Sequence, residues 1–230
     1  MKRSMSIFLI VVGLLFSSIV LFSGARAFAD SDPSGASIGT AADVIGATPG
    51  APSADDLKNL AASEPLAAKL ADVVGHNRIA INVAWTLVCA FLVMFMQAGF
   101  AMAETGFTQA KNAGHTMAMN FMVYVLGMLG YWVCGFALQM GGVGGVATLG
   151  GGTALSSEFT VNLFGKDFGL FGTTGFFLSG MSYDAVIFTV FIFQMVFMDT
   201  TATIPTGSMA ERWTFKSFVV YAFFISAIVY

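Results

Sequence analysis

The sequence predicts an all-α protein that crosses a membrane several times. Hydrophobic residues make up 57% of the 230 residues and charged residues only 10%, whereas a soluble domain carries about 25% charged residues. Uncharged runs of membrane-spanning length recur along the chain, and most charges lie between them. The net charge of −3 argues against nucleic-acid binding, which requires a basic face.

The N-terminus has the anatomy of an export signal. Lys2 and Arg3 precede an apolar run over residues 5–22, and residues 27–29 supply the small residues of a cleavage site. We therefore predict a signal peptide over residues 1–29, cleaved after Ala29. The apolar run is long for a signal peptide, so an uncleaved anchor stays open as the alternative.

Residues 30–78 are predicted to form an exported, flexible linker. Their first half is rich in Ala, Gly, Ser, Pro and Asp, a composition that cannot bury a core. Apolar residues then recur at near-helical spacing, which predicts a short surface helix leading to the membrane part. They are Leu57, Leu60, Leu66, Leu70 and Val74.

Residues 79–230 are predicted to form a membrane domain. Three runs, over about 79–104, 116–140 and 185–210, each reach the ~20 residues that a helix needs to cross a bilayer. The glycine-rich stretch between the second and third runs, residues 141–184, suits an aqueous loop. These spans predict the first three to four helices of a polytopic membrane protein.

The last apolar run, residues 217–230, predicts an incomplete fourth span. As a helix it would rise only ~21 Å, less than the ~30 Å of the hydrocarbon core. A chain truncated within its fourth helix is the expectation, and a naturally short chain is the alternative. If the N-terminus is exported, Lys111, Arg212 and Lys216 fall on the cytoplasmic side, in agreement with the positive-inside rule.

Phe193 and Phe197 are the candidate site residues. Four positions apart on a helix, their rings lie on one face and follow each other along the axis. An aromatic face attracts a cation by about 0.5–2 kcal/mol, and an apolar constriction opposes hydrated ions. The alternative is ordinary packing against lipid or other helices, because the chain has 24 phenylalanines.

Asp199 lies well inside the third predicted span. A charge there costs about 2.5–3.5 kcal/mol on insertion scales, so the residue should face protein or a water-filled cavity. At about 100° per residue, Asp199 points away from Phe197 and lines up with Thr203 and Thr206. We predict a structural polar stripe that hydrogen-bonds a neighbouring helix, with a proton-accepting role as the alternative.

Other polar residues in the spans are predicted to be structural. Gln97 and Glu104 share one face of the first span, and Gln194 is their counterpart in the third, which favours hydrogen bonding between helices. Cys89 and Cys134 lie in apolar runs and are predicted to be buried thiols rather than a disulfide. No metal site or cofactor is predicted, since the two histidines sit in connecting segments.

Three stretches resemble the ammonium transporter (Amt/Mep/Rh) family. The first is residues 95–100 (FMQAGF) with residues 104–107 (ETGF), followed by residues 110–112 (AKN). The second is Phe193-Gln194-x-x-Phe197, and the third is the AER turn at residues 210–212. The resemblance covers about residues 79–230.

The resemblance implies an eleven-helix fold and a homotrimer that conducts ammonium through a hydrophobic pore in each subunit, for nitrogen uptake across the cell membrane. By position, Phe193 would line the recruitment site and Phe197 would supply one ring of a phenylalanine gate. A PII-type regulator would act on the cytoplasmic loops around Lys111 and Arg212. No enzymatic step is implied.

The family's recruiting tryptophan, second gate phenylalanine, pore-side aspartate and pore histidines would lie beyond Tyr230, and Asp199 is not assigned to replace them. Two other functions stay open. One is an ammonium sensor with a signalling domain beyond the present C-terminus, and the other is a non-conducting membrane fragment.

Overall fold

The computed structural model describes residues 32–36, 38–41, 53–142, 149–150 and 155–230. The predicted signal peptide lies outside the described residues. Within them, three helices are long and apolar enough to cross a membrane: Pro65–Phe107, Ala110–Met140 and Ala185–Ser208. The predicted class, an all-α membrane protein, is confirmed.

Helix α1 spans Ala54–Ser63 and begins with a capping box. The Ser53 hydroxyl accepts a hydrogen bond from the Asp56 backbone N–H, while the Asp56 carboxylate accepts one from the Ser53 backbone N–H. Together these bonds satisfy backbone donors that a helix start leaves free. Pro65 then occupies the first turn of the next helix, where its missing N–H costs nothing.

Helix α2 spans Pro65–Phe107 without a break. Its 43 residues correspond to about 64 Å, roughly twice the ~30 Å of a hydrocarbon core. The sequence predicted a short surface helix and then a separate span from residue 79, whereas the structure joins them into one rod. Hydropathy marks where lipid begins, but the helix itself starts at the proline. The division into linker and membrane domain stays a prediction.

The described residues before α1 pack against membrane helices. Ile38 is buried with Ile79 of α2 and with Val186 of the third long helix. The Asp72 carboxylate accepts a hydrogen bond of 2.8 Å from the Ala41 backbone N–H. This short segment therefore joins one end of α2 to the start of the third long helix.

The second long helix consists of a 3₁₀ turn (Ala110–Asn112), α3 (Ala113–Gly130), a π-helical segment (Tyr131–Gly135) and α4 (Phe136–Met140). A shorter fourth helix consists of α6 (Phe215–Phe224) and a π-helical segment (Ile225–Val229). The two π segments pack against each other. Glycines allow this close approach, because a Cβ at Gly130 or Gly135 would overlap backbone carbonyl oxygens of the fourth helix.

A β-hairpin lies in the stretch predicted as an aqueous loop. Strands β1 (Glu158–Leu163) and β2 (Lys166–Gly172) pair antiparallel. Phe164 and Gly165 form the turn with φ of 55° and 77°, the left-handed conformation of a tight two-residue hairpin. The hairpin was not predicted, although β1 has Phe, Val and Leu at every second position, an alternation typical of a strand.

Helix α5 spans Ala185–Ser208 and lies at the centre of the described bundle. Asp184 caps its start, because the carboxylate accepts a 2.9 Å hydrogen bond from the Val186 N–H. One side of α5 is buried against α2, α3 and the fourth helix, and it contributes much of the main hydrophobic core. Both candidate phenylalanines lie on this helix.

Candidate functional site

Phe193 and Phe197 contact each other on α5. Their ring centroids are 5.1 Å apart and the ring planes are tilted by 56°. Along the axis they lie about 12 Å and about 18 Å from the start of the helix. Phe193 is half-buried against the main core, while Phe197 is 37% exposed. The pair forms a continuous aromatic surface at the edge of the described bundle.

The opposite side of α5 is held by an aromatic cluster. Phe191 is 8% exposed and stacks on Tyr131, with ring centroids 5.4 Å apart. Phe136 packs edge-on against Phe191 at 5.5 Å. Since Phe191 lies about 200° around the helix from Phe193, this cluster packs against the side of α5 opposite the phenylalanine pair.

Gln194 bonds to the fourth helix. Its side-chain Oε1 accepts a 3.0 Å hydrogen bond from the Tyr230 hydroxyl. Gln194 was predicted to hydrogen-bond between helices as the counterpart of Gln97 and Glu104, and it does so, but to the fourth helix rather than within their network. Tyr230 also packs edge-on against Tyr131, with ring centroids 5.6 Å apart, so the hydrogen bond continues the aromatic cluster.

A polar network joins the three long helices nearer the other end of α5. Oε2 of Glu104 accepts hydrogen bonds from Asn120 Nδ2 at 2.7 Å and from Thr206 Oγ1 at 2.8 Å. Thr203 Oγ1 donates to Gln97 Oε1 at 3.0 Å, and Gln97 Nε2 donates to the Asn120 carbonyl at 2.8 Å. The predicted bonding between helices is confirmed for Gln97, Glu104 and both threonines. Asn120 was missed, although an asparagine inside an apolar run is itself a signal.

Asp199 is buried, with 2% of its surface exposed. It therefore faces protein, as the sequence predicted. Among the described residues its Oδ1 has no hydrogen-bond partner, so the predicted bond to a neighbouring helix is not found for this oxygen. The threonines carry the polar stripe, and nothing in the described geometry assigns Asp199 a chemical role.

The connections α2–α3 and α5–α6 are tied to each other by Glu211. Its Oε1 accepts hydrogen bonds from the Gln109 backbone N–H at 2.7 Å and from Asn112 Nδ2 at 3.1 Å. Both hydrogen bonds hold the pKa of the Glu211 carboxyl below its usual range, and the bond from the backbone N–H has the larger effect. A cavity of about 530 Å³ lies beside this contact, with Glu104, Glu211 and Arg212 in its wall.

The two cysteines are free thiols. The prediction that they form no disulfide is confirmed, although both are half-buried rather than fully buried. Cys134 donates a 3.3 Å hydrogen bond to the Ala227 carbonyl of the fourth helix. This contact helps to join the two π-helical segments.

The bundle of apolar helices defines a multi-pass membrane protein, and comparison with known proteins identifies its family. The sequence model of the Ammonium Transporter Family matches residues 84–230. The chain belongs to this family.

Two curated relatives show how far the similarity extends. The chain is 40% identical to Ammonium transporter Amt2 of Archaeoglobus fulgidus, over 67% of this chain and 28% of that protein. It is 35% identical to Ammonium transporter Amt1 of Haloferax mediterranei, over 65% of this chain and 25% of that protein. The chain therefore spans about a quarter of the length of these relatives.

A solved structure, the Sensor Amt Protein, is also similar. Its TM-score is 0.52 with 32% sequence identity, over 66% of this chain and 33% of the other. The similarity thus includes a protein named as a sensor as well as proteins named as transporters.

Proposed function

We propose that this chain supplies the first membrane helices of a protein that moves ammonium across the cell membrane and performs no enzymatic reaction. The main support is the contact between Phe193 and Phe197, within the matched region and at an exposed edge of a membrane-length helix. The relatives named as ammonium transporters support the choice of substrate.

In this proposal the two rings act in succession. An ammonium ion approaching from the exported side meets Phe193 first, and Phe197 lies about 6 Å further along the axis. Each ring face attracts the cation, by about 0.5–1 kcal/mol where water is present and by about 2 kcal/mol where it is excluded. The same apolar rings oppose the passage of water and hydrated ions, so the pair both recruits and gates.

The test is ammonium-dependent current in proteoliposomes that contain the protein made from its complete reading frame. Removing one ring by Phe197→Ala is expected to raise the KM for ammonium about 5–30-fold, which corresponds to 1–2 kcal/mol of lost cation–π attraction. Phe197→Tyr keeps an aromatic face and should retain most of the affinity. The matched control is Phe121→Ala, which removes a 67% exposed ring from α3.

An ammonium current with unchanged KM in Phe197→Ala would reject the gate. Absence of both ammonium current and ammonium uptake in a folded wild-type protein would reject transport.

The solved Sensor Amt Protein favours ammonium sensing as the second candidate function. A sensor would bind ammonium at the same phenylalanine pair but need not conduct it. Saturable ammonium binding without current or uptake, weakened by Phe197→Ala, would support sensing over transport. Binding together with current would support transport.

We also propose the family's assembly and regulation for this chain. A homotrimer is expected in detergent, which mass measurement of the purified protein tests. A PII-type regulator is expected at the connections tied by Glu211, and Arg212→Ala should weaken its binding while Lys58→Ala, on α1, should not. The proposed signal peptide predicts a mature protein that begins at Asp30, which N-terminal sequencing checks.

A further inference from the structure

We propose that Tyr230 is a positioning residue, which sets the rotation of α5 through its hydrogen bond to Gln194 and thereby the orientation of Phe193. The inference rests on the proposed function, since it concerns the same phenylalanine pair. It adds two residues that contact no ammonium themselves and act through the helix that carries the rings.

The hydrogen bond holds the side of α5 next to the first ring. The Tyr230 hydroxyl donates to Gln194 Oε1 at 3.0 Å, and Gln194 directly follows Phe193. At about 100° per residue, the Gln194 side chain leaves the helix a little more than a quarter-turn from the ring. A helix rotation that moved Phe193 would therefore also break or strain this bond.

A second contact holds the same helix about 4.5 Å closer to its start. Phe191 lies about 200° around the axis from Phe193 and stacks on the fully buried ring of Tyr131. Tyr131 in turn packs edge-on against Tyr230. The Phe191 stacking and the Gln194 hydrogen bond lie about 60° apart around the axis, so together they resist rotation of this part of α5.

Both tyrosines lie at π-helical backbone, which determines where their side chains point. Tyr131 begins one π-helical segment, and the Tyr230 backbone N–H donates to the Ile225 carbonyl of the other. Such segments are rare, and they occur often at functional sites because the wider turn re-aims the side chains around it. The two segments approach each other closely at Gly130 and Gly135, and the two tyrosines contact each other there.

The first experiment measures ammonium transport by the protein from its complete reading frame, with Tyr230→Phe. Loss of the hydroxyl is expected to raise the KM for ammonium about threefold to tenfold, the range that one lost hydrogen bond gives, and to change kcat less than twofold. Gln194→Leu should give the same shift. The double variant should be no worse than Tyr230→Phe alone, because Gln194→Leu breaks a bond that Tyr230→Phe has already removed.

The matched control is Tyr221→Phe. The Tyr221 hydroxyl also bonds from the fourth helix to α5, donating to the Ala202 carbonyl at 3.4 Å, but about 12 Å further along the axis than Gln194. It should lower thermal stability about as much as Tyr230→Phe and leave the KM unchanged. A purely structural role for Tyr230 would make the two variants alike.

A second readout does not depend on transport. In a protein whose other cysteines, Cys89 and Cys134 among them, are replaced by alanine, Phe193→Cys provides a single thiol whose labelling rate reports the orientation of this face of α5. We expect Tyr230→Phe to change this rate by about threefold or more, and Tyr221→Phe to leave it unchanged.

The outcomes separate the two proposals. A protein that moves no ammonium rejects the proposed transport, while the labelling rates still decide whether Tyr230 orients α5. Ammonium transport with a wild-type KM and labelling rate in Tyr230→Phe rejects the positioning role and leaves transport standing.

Discussion

Glu104 offers a quantitative test of the polar network. Glu104→Leu removes the acceptor of two bonds between helices, from Asn120 and from Thr206. Such bonds contribute about 0.6 kcal/mol each on average, and at most about 1.7 kcal/mol. Each donor keeps an acceptor within its own helix, the carbonyls of Thr116 and Thr203. We therefore expect Glu104→Leu to lower the free energy of unfolding by about 1–2 kcal/mol, in the lower half of the range that two such bonds allow.

The matched variant Glu104→Gln separates hydrogen bonding from charge. Both bonds end on the same carboxylate oxygen, Oε2, so one amide oxygen can accept both. The other oxygen, Oε1, faces Gly207 at the wall of the cavity, and an amide NH₂ group in its place would break neither bond. Glu104→Gln is therefore expected to cost less than about 0.5 kcal/mol, the scatter of substitutions that break no buried contact.

The assay is thermal unfolding of the purified protein in detergent. For a domain of this size, 1 kcal/mol shifts the Tm by about 2–4 °C, so we expect a fall of about 2–8 °C for Glu104→Leu and less than 2 °C for Glu104→Gln. Equal falls in both variants would show that the charge, and not the acceptor, stabilises the packing. No fall in Glu104→Leu would refute the stabilising role of the network.

Three further predictions use the same protein. Gly130→Ala should lower the Tm, because the new Cβ overlaps a backbone carbonyl oxygen of α6, whereas Gly114→Ala, which has nothing within 4 Å, should not. Thr203→Val should lower the free energy of unfolding by about 0.6–1.7 kcal/mol, because it breaks a hydrogen bond to α2. Thr201→Val should leave it unchanged, because the Thr201 hydroxyl bonds only within its own helix. The lowered pKa of Glu211 means that its stabilisation is complete above the ordinary glutamate pKa and is lost as the pH falls through the lowered value. Hydrogen exchange at the Gln109 backbone amide, which donates to Glu211, should show this acid dependence. Glu211→Gln should remove the dependence.

Hydropathy alone predicted the membrane helices because lipid leaves few alternatives. A backbone group without a partner costs several kcal/mol in the hydrocarbon core, so an apolar run that spans it must be helical. The ends are set by different chemistry. Pro65 and the capping box at Ser53 decide where helices begin, and neither affects hydropathy, which is why α2 starts well before the predicted span.

The contacts between helices were harder to predict, because they depend on rotation and on partners distant in sequence. Periodicity placed Thr203 and Thr206 on one stripe with Asp199, and the threonines do bond to α2. It could not choose a partner for Gln194, which bonds to Tyr230, 36 positions away. The π-helical segments leave no trace in hydropathy, since the wider turn consists of the same apolar residue types as the α-helix around it.

Helix α5 is thus held at two levels, and the two contacts should act independently. The Gln194 bond and the Thr203 bond lie about 13.5 Å apart along the axis, farther than the 7–10 Å beyond which substitutions usually add. Thr203→Val combined with Tyr230→Phe should therefore lower the Tm by the sum of the single effects, while the KM should follow Tyr230→Phe alone. If Thr203→Val also raised the KM, the orientation of Phe193 would depend on the whole helix rather than on the contact beside it.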